Sequence, residues 1–148
     1  LFEGDFVTPA FRPFEATPNE AQEKFVEYMG KANQELSELA MTGWINATVA
    51  VGGLLAAGPD FDRQSVIDAT NTLTADSAGG LIVPVDWTKQ HTPPTQDNPS
   101  GGGQFECIAS VKVVSGKFVT VANPDTPFIC WPTSSRDWVE PEQKAFDE

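Results

Sequence analysis

The sequence predicts a mixed α/β chain in which three helices precede a β-hairpin. Two segments between residues 17 and 57 place apolar side chains at helical spacing, and a third helical segment follows Asp62. From Cys107 to Val121 the apolar side chains instead alternate with a period of two, which is typical of strands. Because both patterns occur within 148 residues, the predicted class is α/β.

The first sixteen residues are predicted to form a short strand and then an extended crossing. Phe2, Gly4 and Phe6 alternate with acidic residues, as in a strand with one apolar face. Pro9 and Pro13 cannot continue a ladder of backbone hydrogen bonds. The strand is therefore expected to end before Pro9.

The first predicted helix follows this crossing. Thr17 is its expected cap, with Pro18 in the first helical position and Glu20 completing a capping box. Apolar residues then recur at helical spacing to about Lys31, where we expect the helix to end.

The second and third predicted helices are separated by Gly58 and Pro59, which stop the second one. The second helix is expected over about residues 42–57, and Asp62 is the expected cap of the third, which ends near Ala75. The face that the second helix is expected to bury consists of Trp44, Ala47, Val51, Leu54 and Leu55.

The strand signals lie in the second half of the chain. Residues 81–83 are a candidate buried strand that stops at Pro84, and residues 92–103 have the Pro, Asn, Ser and Gly content of a loop. A strand over residues 107–114 and another over residues 118–121 flank a turn at 115–117, which predicts a β-hairpin.

Charge and composition exclude several classes of protein. The formal net charge is −12, and the nine Lys and Arg residues are scattered along the chain, so nucleic acid is not an expected partner. The longest apolar stretch, residues 45–57, is interrupted by Asn46, Thr48 and a Gly pair, and we expect no membrane span. The chain begins at Leu1, so any targeting segment is expected to have been removed or to lie outside it.

Catalytic and metal-binding patterns are also missing from the sequence. The single histidine, His91, is not accompanied by a nucleophile elbow, and Gly101, Gly102 and Gly103 are not followed by the Lys of a phosphate loop. No group of Cys, His or Asp has the spacing of a zinc or calcium site. We therefore expect no enzyme activity, no cofactor and no bound metal.

The two cysteines, Cys107 and Cys130, flank the predicted hairpin and its return segment. Both ends of such a unit can come close in space. In an exported chain we expect a disulfide between them, which would constrain the unfolded state by about 3 kcal/mol.

Trp44 has two open interpretations. Near the start of the second predicted helix it could lie beside backbone N–H groups that face an anionic ligand group. It could equally pack in the core against the other helices, which is the usual role of a buried aromatic residue.

The order of the sequence motifs resembles the C-terminal part of the type I periplasmic binding proteins, in particular the branched-chain amino-acid type of ABC-transporter solute receptor. The motifs that carry this resemblance are Glu3-Gly4-Asp5-Phe6-Val7-Thr8-Pro9, the capped helix after Pro18, Met41-Thr42-Gly43-Trp44-Ile45-Asn46-Ala47, Ala57-Gly58-Pro59 followed by Phe61 and Arg63, Ala78-Gly79-Gly80-Leu81, Val85-Asp86-Trp87 and Val111-Lys112-Val113-Val114 with Gly116-Lys117-Phe118.

The resemblance implies two α/β lobes with ligand held between them, of which this chain would supply the C-terminal portion. Residues 1–16 would form a second-lobe strand and a crossing, and residues 17–86 a first-lobe segment. Residues 87–104 would be another crossing, and residues 105–148 a second-lobe hairpin and tail. On this view the chain is a fragment, one chain of a cleaved receptor or a truncated form.

The resemblance also implies a function and a site. Met41 and Trp44 would make apolar contacts with a small amino-acid-like solute, and Thr42 a polar contact. The expected partners are that solute, an ABC permease at the membrane, and the N-terminal part of the receptor or a second copy of this chain, in an extracytoplasmic location. The alternative is a non-enzymatic extracellular sensing or protein-interaction module with the same fold.

Overall fold

In a computed structural model of the chain, residues 2–96, 102 and 107–130 are described, and they form helices and small antiparallel sheets. The predicted mixed α/β class is confirmed by this combination of helices and sheets. In chain order the elements are β1 (Phe6–Val7), α1 (Glu20–Lys31), α2 (Glu38–Ala57), α3 (Arg63–Thr70), α4 (Trp87–Gln90), β2 (Cys107–Ala109), β3 (Val111–Val114), β4 (Lys117–Thr120) and β5 (Phe128–Cys130).

Helix α1 has a different cap from the one predicted. Asn19, not Thr17, is the capping residue, and its side-chain oxygen accepts a hydrogen bond from the Gln22 N–H at 2.9 Å. The Asn19 amide nitrogen also donates to the Gly79 carbonyl oxygen at 3.0 Å. Since Asn19 is the N-cap, Pro18 precedes the helix instead of starting it, and the second bond ties the cap to a distant loop.

Helix α2 starts earlier than predicted, at Glu38. The Ser37 hydroxyl caps the helix by accepting a hydrogen bond from the Ala40 N–H at 3.2 Å. A serine at this position is a capping signal in the sequence, but the predicted start at about residue 42 did not use it. Its end at Ala57 and the stop at Gly58, which has a φ of 85°, agree with the prediction.

The buried face of α2 is not the predicted one. Met41, Ile45 and Gly53 are buried, whereas Val51 and Leu55 of the predicted face are 52% and 77% exposed. Because α2 is apolar on nearly all sides, its periodicity does not distinguish one face from another. Packing against α1 and α3 decides which side is covered.

By length and composition alone, helix α2 could cross a membrane. Within the described part of the chain, 17% of its 18-residue apolar window is buried. The sequence predicted no such segment because Asn46, Thr48 and the Gly52-Gly53 pair interrupt the apolar stretch over residues 45–57. A helix of this kind is weak support for a membrane span, since core helices of soluble proteins have the same composition.

Helix α3 confirms the predicted cap at Asp62. The Asp62 carboxylate accepts from the Ser65 N–H at 2.8 Å, and the Ser65 hydroxyl is hydrogen-bonded to the Asp62 N–H, which completes a capping box. The helix ends at Thr70 and not near Ala75, because the chain turns there and Asp76 then pairs with Val85.

The predicted strand at residues 81–83 is absent from the structure. Gly79 and Gly80 have φ angles of 74° and 84°, which only glycine adopts readily, and they fold this segment into turns. Leu81 is nevertheless fully buried, and its carbonyl oxygen accepts from the Arg12 N–H at 2.6 Å. The apolar run thus reflects burial of a turn.

The predicted β-hairpin is confirmed as β3 and β4, joined by Ser115 and Gly116. Both turn residues have positive φ, 52° and 73°, as in the turn type that matches the twist of antiparallel strands. The predicted long first strand is divided at Ser110 into β2 and β3, which belong to different sheets.

The two sheets join distant parts of the chain. In the first, β3 lies between β4 and β1, and Phe6 is opposite Lys112. Strand β1 is shorter than the predicted alternation because residues 2–5 form a turn. In the second sheet, β2 pairs with β5. The predicted tail after Cys130 and most of the loop between residues 97 and 106 lie outside the described residues.

The hydrophobic core lies among α1, α2 and the loop that follows α3. Phe25 and Met41 come from the two helices, Leu81 and Ala78 from the loop, and Phe11 from the segment before α1. This core positions the adjoining surface where α1, α2 and Gly79 meet.

Candidate functional site

Trp44 lies half-buried where α1 and α2 meet. Its ring centroid is 5.8 Å from that of Phe25, edge to face, and 5.6 Å from that of Tyr28. These contacts hold the indole in place while leaving part of it accessible. Trp44 therefore packs on the core, as one of the two interpretations has it, and part of its indole also faces a surface cavity.

That cavity has a volume of about 310 Å³ and is open to solvent. Its walls come from the start of α1, from the second and third turns of α2, and from the loop after α3. The lining residues are Glu20, Ala21, Lys24, Trp44, Thr48, Ala78 and Gly79. We call this the Trp44 cavity.

Two opposite charges lie at the rim of the Trp44 cavity. The Lys24 ammonium is 2.7 Å from a Glu20 carboxylate oxygen, one helical turn apart. Their hydrogen bond lowers the pKa of Glu20 and raises the pKa of Lys24. Both groups remain exposed, so an acid and an ammonium are available beside an aromatic surface.

Met41, one of the three predicted contact residues, is fully buried in the hydrophobic core. It packs with Phe25 and Leu81 and does not line the Trp44 cavity. In this structure its role is to support the wall behind Trp44.

Thr42, the predicted polar contact, is exposed on α2. Its hydroxyl donates to the Glu38 carbonyl oxygen at 2.9 Å, which is a local helix contact. Because α2 starts at Glu38, Trp44 lies beyond the first turn, where backbone N–H groups are already bonded within the helix. Of the two interpretations of Trp44, the one that places it beside free N–H groups of a helix start therefore does not fit the observed start of α2.

Sequence reasoning missed Glu20, Lys24, Thr48 and Gly79 as lining residues. The i,i+4 spacing of Glu20 and Lys24 marks them as an ion pair, but only as a solvated one. Gly79 comes from a segment far along the chain, which lies against the start of α1 through the hydrogen bond from Asn19 and the close approach of Gly79 to Ala21.

The expected disulfide is present in the structure between Cys107 and Cys130. The two residues are directly opposite each other in the β2–β5 pair. A disulfide is compatible with an extracytoplasmic location, where such bonds persist.

The remaining polar residues do not converge on a catalytic or metal-binding arrangement within the described ranges. His91 is exposed and follows the short helix α4. Among residues 2–96, 102 and 107–130, no three His, Cys, Asp or Glu side chains are grouped so that they could hold a metal ion.

The Trp44 cavity offers an aromatic surface, a carboxylate, an ammonium and nearby backbone groups. This combination suits a small molecule that carries both charges and an apolar part. Comparisons of the chain with protein-family models, with curated proteins and with solved structures find no match.

Proposed function

We propose that this chain is the C-terminal portion of an extracytoplasmic solute-binding component of an ABC importer, which takes a small amino-acid-like solute. The observation that carries the proposal is the order of motifs from Glu3 to Phe118, which resembles that receptor class. The α/β class of the chain agrees with it.

The course of the chain supports the proposal. Strand β1 pairs with β3, Phe6 opposite Lys112, while the three longer helices lie between these strands in the sequence. A chain that leaves one sheet, builds a helical unit and returns to that sheet has the connectivity expected of a receptor with two lobes.

Exposed apolar side chains on α2 support the proposal that another protein segment covers this helix. Leu39 and Leu55 on α2 are 85% and 77% exposed, and Val51 is about half exposed. Apolar surface of this extent commonly marks an interface. We propose that the remaining N-terminal part of the receptor, or a second copy of this chain, covers it.

The Trp44 cavity supports an amphiphilic ligand. A bound solute would exchange with the exposed Glu20–Lys24 ion pair, its ammonium group facing Glu20 and its carboxylate facing Lys24, while the indole of Trp44 contacts its apolar part. Contacts with both lobes would stabilise a closed state, and that state would be presented to the permease. In the proposed cycle no covalent bond is made or broken.

Thermal unfolding of the complete natural protein, with and without amino acids, amides and aromatic acids, tests the proposal. A solute at 100 times its Kd stabilises the folded state by about 2.7 kcal/mol, which raises the Tm by several degrees. The Trp44→Ala variant should reduce that shift, whereas Phe61→Ala, on an exposed residue outside the cavity, should not. Absence of any shift with these solutes would refute the proposal.

The second candidate is an extracellular sensing or protein-interaction module. The exposed face of α2 favours it, because an apolar helix surface can also bind another protein. Permease and ATPase genes beside the gene for this chain would favour transport, and kinase or surface-protein genes would favour sensing.

A further inference from the structure

One face of the β1–β3–β4 sheet forms the floor of an apolar groove. Val7 is opposite Val111, and Val113 is opposite Phe118, so all four side chains lie on the same face. Lys112 and Lys117 alternate with them and belong to the other face. The floor is therefore apolar and free of lysine.

The groove consists of two adjoining cavities that share Val7 and Phe118. The larger has a volume of about 540 Å³ and is also lined by Phe2 and Phe6. The smaller, about 100 Å³, continues toward Phe11 and Phe14 before α1. We call the two together the sheet groove.

Among the described residues, every charged side chain that lines the sheet groove is acidic. Glu3 and Asp5 line the larger cavity, and Glu15 and Glu38 line the smaller one. No Lys or Arg from the described part of the chain lines either cavity. An apolar trough with carboxylates on its walls is complementary to an apolar molecule that carries a positive charge.

The two carboxylates of the larger cavity differ in what they already bind. Glu3 accepts hydrogen bonds from the backbone N–H groups of Ser115 and Gly116, at 3.0 and 3.4 Å, which fixes it beside the hairpin turn. The Asp5 carboxylate has no hydrogen-bond or ion-pair partner among the described residues. Asp5 is thus the charge that a ligand can engage.

The rings of the groove are also suited to a cation. Phe6 is directly opposite Lys112, so its side chain belongs to the lysine face of the sheet, where the Lys112 ammonium already lies 5.3 Å from the centroid of its ring. Phe2 and Phe118 are 64% and 50% exposed and have ring surface available on the groove side.

We propose that the sheet groove binds a small organic cation with an apolar body, such as an aromatic or alkyl ammonium. The apolar body lies on Val113 and Phe118, and the ammonium group faces Asp5. A cavity of about 540 Å³ is within the usual range for small-molecule sites. The groove lies outside the Trp44 cavity, so this proposal does not depend on the solute-receptor function.

Titration with phenethylammonium, followed by backbone amide NMR of the chain, tests the proposal. We expect saturable shifts at Val7, Val113 and Phe118, with no comparable shifts at α3. Phenethyl alcohol, which has the same ring without the charge, should bind several-fold more weakly, and 3-phenylpropionate should not bind.

Charge variants separate a specific site from general attraction to an acidic protein. Asp5→Asn should weaken binding of phenethylammonium about threefold, as expected for one exposed ion pair. Asp60→Asn, which removes the same charge from an exposed position outside the groove, should leave the affinity unchanged. If Asp5→Asn does not fold, raising the salt from about 50 to 500 mM should weaken binding of the unaltered chain by a similar factor.

Three results would overturn the proposal. Equal affinity for the alcohol and the ammonium would show that charge plays no part. Absence of shifts at the groove amides would show that no small cation binds there. Sedimentation of the chain as a dimer, with groove amides shifting on dilution, would identify a second copy of the chain as the occupant.

Discussion

The guanidinium of Arg12 donates two hydrogen bonds to the carbonyl oxygen of Thr17, from Nε at 3.1 Å and from Nη2 at 2.6 Å. Its Nη2 also reaches the carbonyl oxygens of Pro124 and Asp125, at 3.4 and 3.3 Å. Arg12 is 9% exposed, so these bonds lie largely out of water. It therefore joins the segment before α1 to the loop between β4 and β5.

Replacing Arg12 should destabilise the chain strongly. Arg12→Ala leaves three carbonyl oxygens without this donor, and we expect a loss of about 3 kcal/mol in the free energy of unfolding. Urea denaturation measures the loss. Arg63→Ala, at an exposed position, is the matched control and should change stability by less than about 0.5 kcal/mol. An Arg12→Ala chain as stable as this control would show that the guanidinium contributes nothing.

Two neighbouring glycines of α2 should respond in opposite directions to alanine. A Cβ atom at Gly53 would meet the Thr70 hydroxyl and the Val66 side chain of α3, so Gly53→Ala should cost about 1–3 kcal/mol. A Cβ atom at Gly52 meets nothing within 4 Å, and Gly52→Ala should stabilise the helix by about 0.5–1 kcal/mol. Thermal unfolding of both variants checks the prediction, and equal effects would contradict the packing of α2 on α3.

The cap of α3 should depend on pH. Hydrogen bonds from the Ser65 N–H and hydroxyl lower the pKa of Asp62 in the folded chain. A carboxylate with a lowered pKa contributes its full stability above its unfolded pKa, and that contribution is lost as the pH falls through the lower folded pKa. The loss should therefore occur in the region below about pH 4.

The Asp62→Asn variant isolates this effect, because an asparagine oxygen can still accept the Ser65 N–H but does not ionise. Urea denaturation between pH 6 and pH 2.5 should show the unaltered chain losing stability relative to Asp62→Asn as the pH falls. A constant difference between the two chains across that range would contradict the assignment of the lowered pKa to Asp62.

Opening the disulfide should destabilise the β2–β5 pair. The Cys107→Ser, Cys130→Ser double variant should lose about 3 kcal/mol, because the closed loop no longer restricts the unfolded chain. A two-stranded sheet is marginal by itself, so amide exchange should increase first at Ile108 and Ile129. In the native protein, the masses measured before and after reduction should differ by two hydrogen atoms, and two free thiols would contradict the bond.

Part of the candidate site could be predicted from the sequence. Trp44 was singled out, and it lines a cavity beside α1. Met41 and Thr42 are its neighbours in sequence, yet one is in the core and the other bonds to its own helix. Because successive residues of a helix point in different directions, proximity in sequence does not place them on one surface.

The sequence by itself determined the features that depend on a few adjacent residues. Asp62 and Ser65 form a capping box within one turn, and Ser115 with Gly116 closes the hairpin. Cys107 and Cys130 could be paired because they are the two cysteines of the chain and flank the predicted hairpin and its return segment, although the strand β5 that brings Cys130 opposite Cys107 was not predicted. In each case the energy that selects the structure is local or is carried by one covalent bond.

Only the tertiary structure decided the features that depend on distant partners. Asn19 caps α1 and also bonds to Gly79, and a turn over residues 78–81 replaces the strand predicted at 81–83 because that loop folds onto the core. Helix α2 is apolar on nearly every side, so no periodic pattern marks the face that α1 and α3 cover. These choices rest on packing between segments far apart in the chain, which no local pattern encodes.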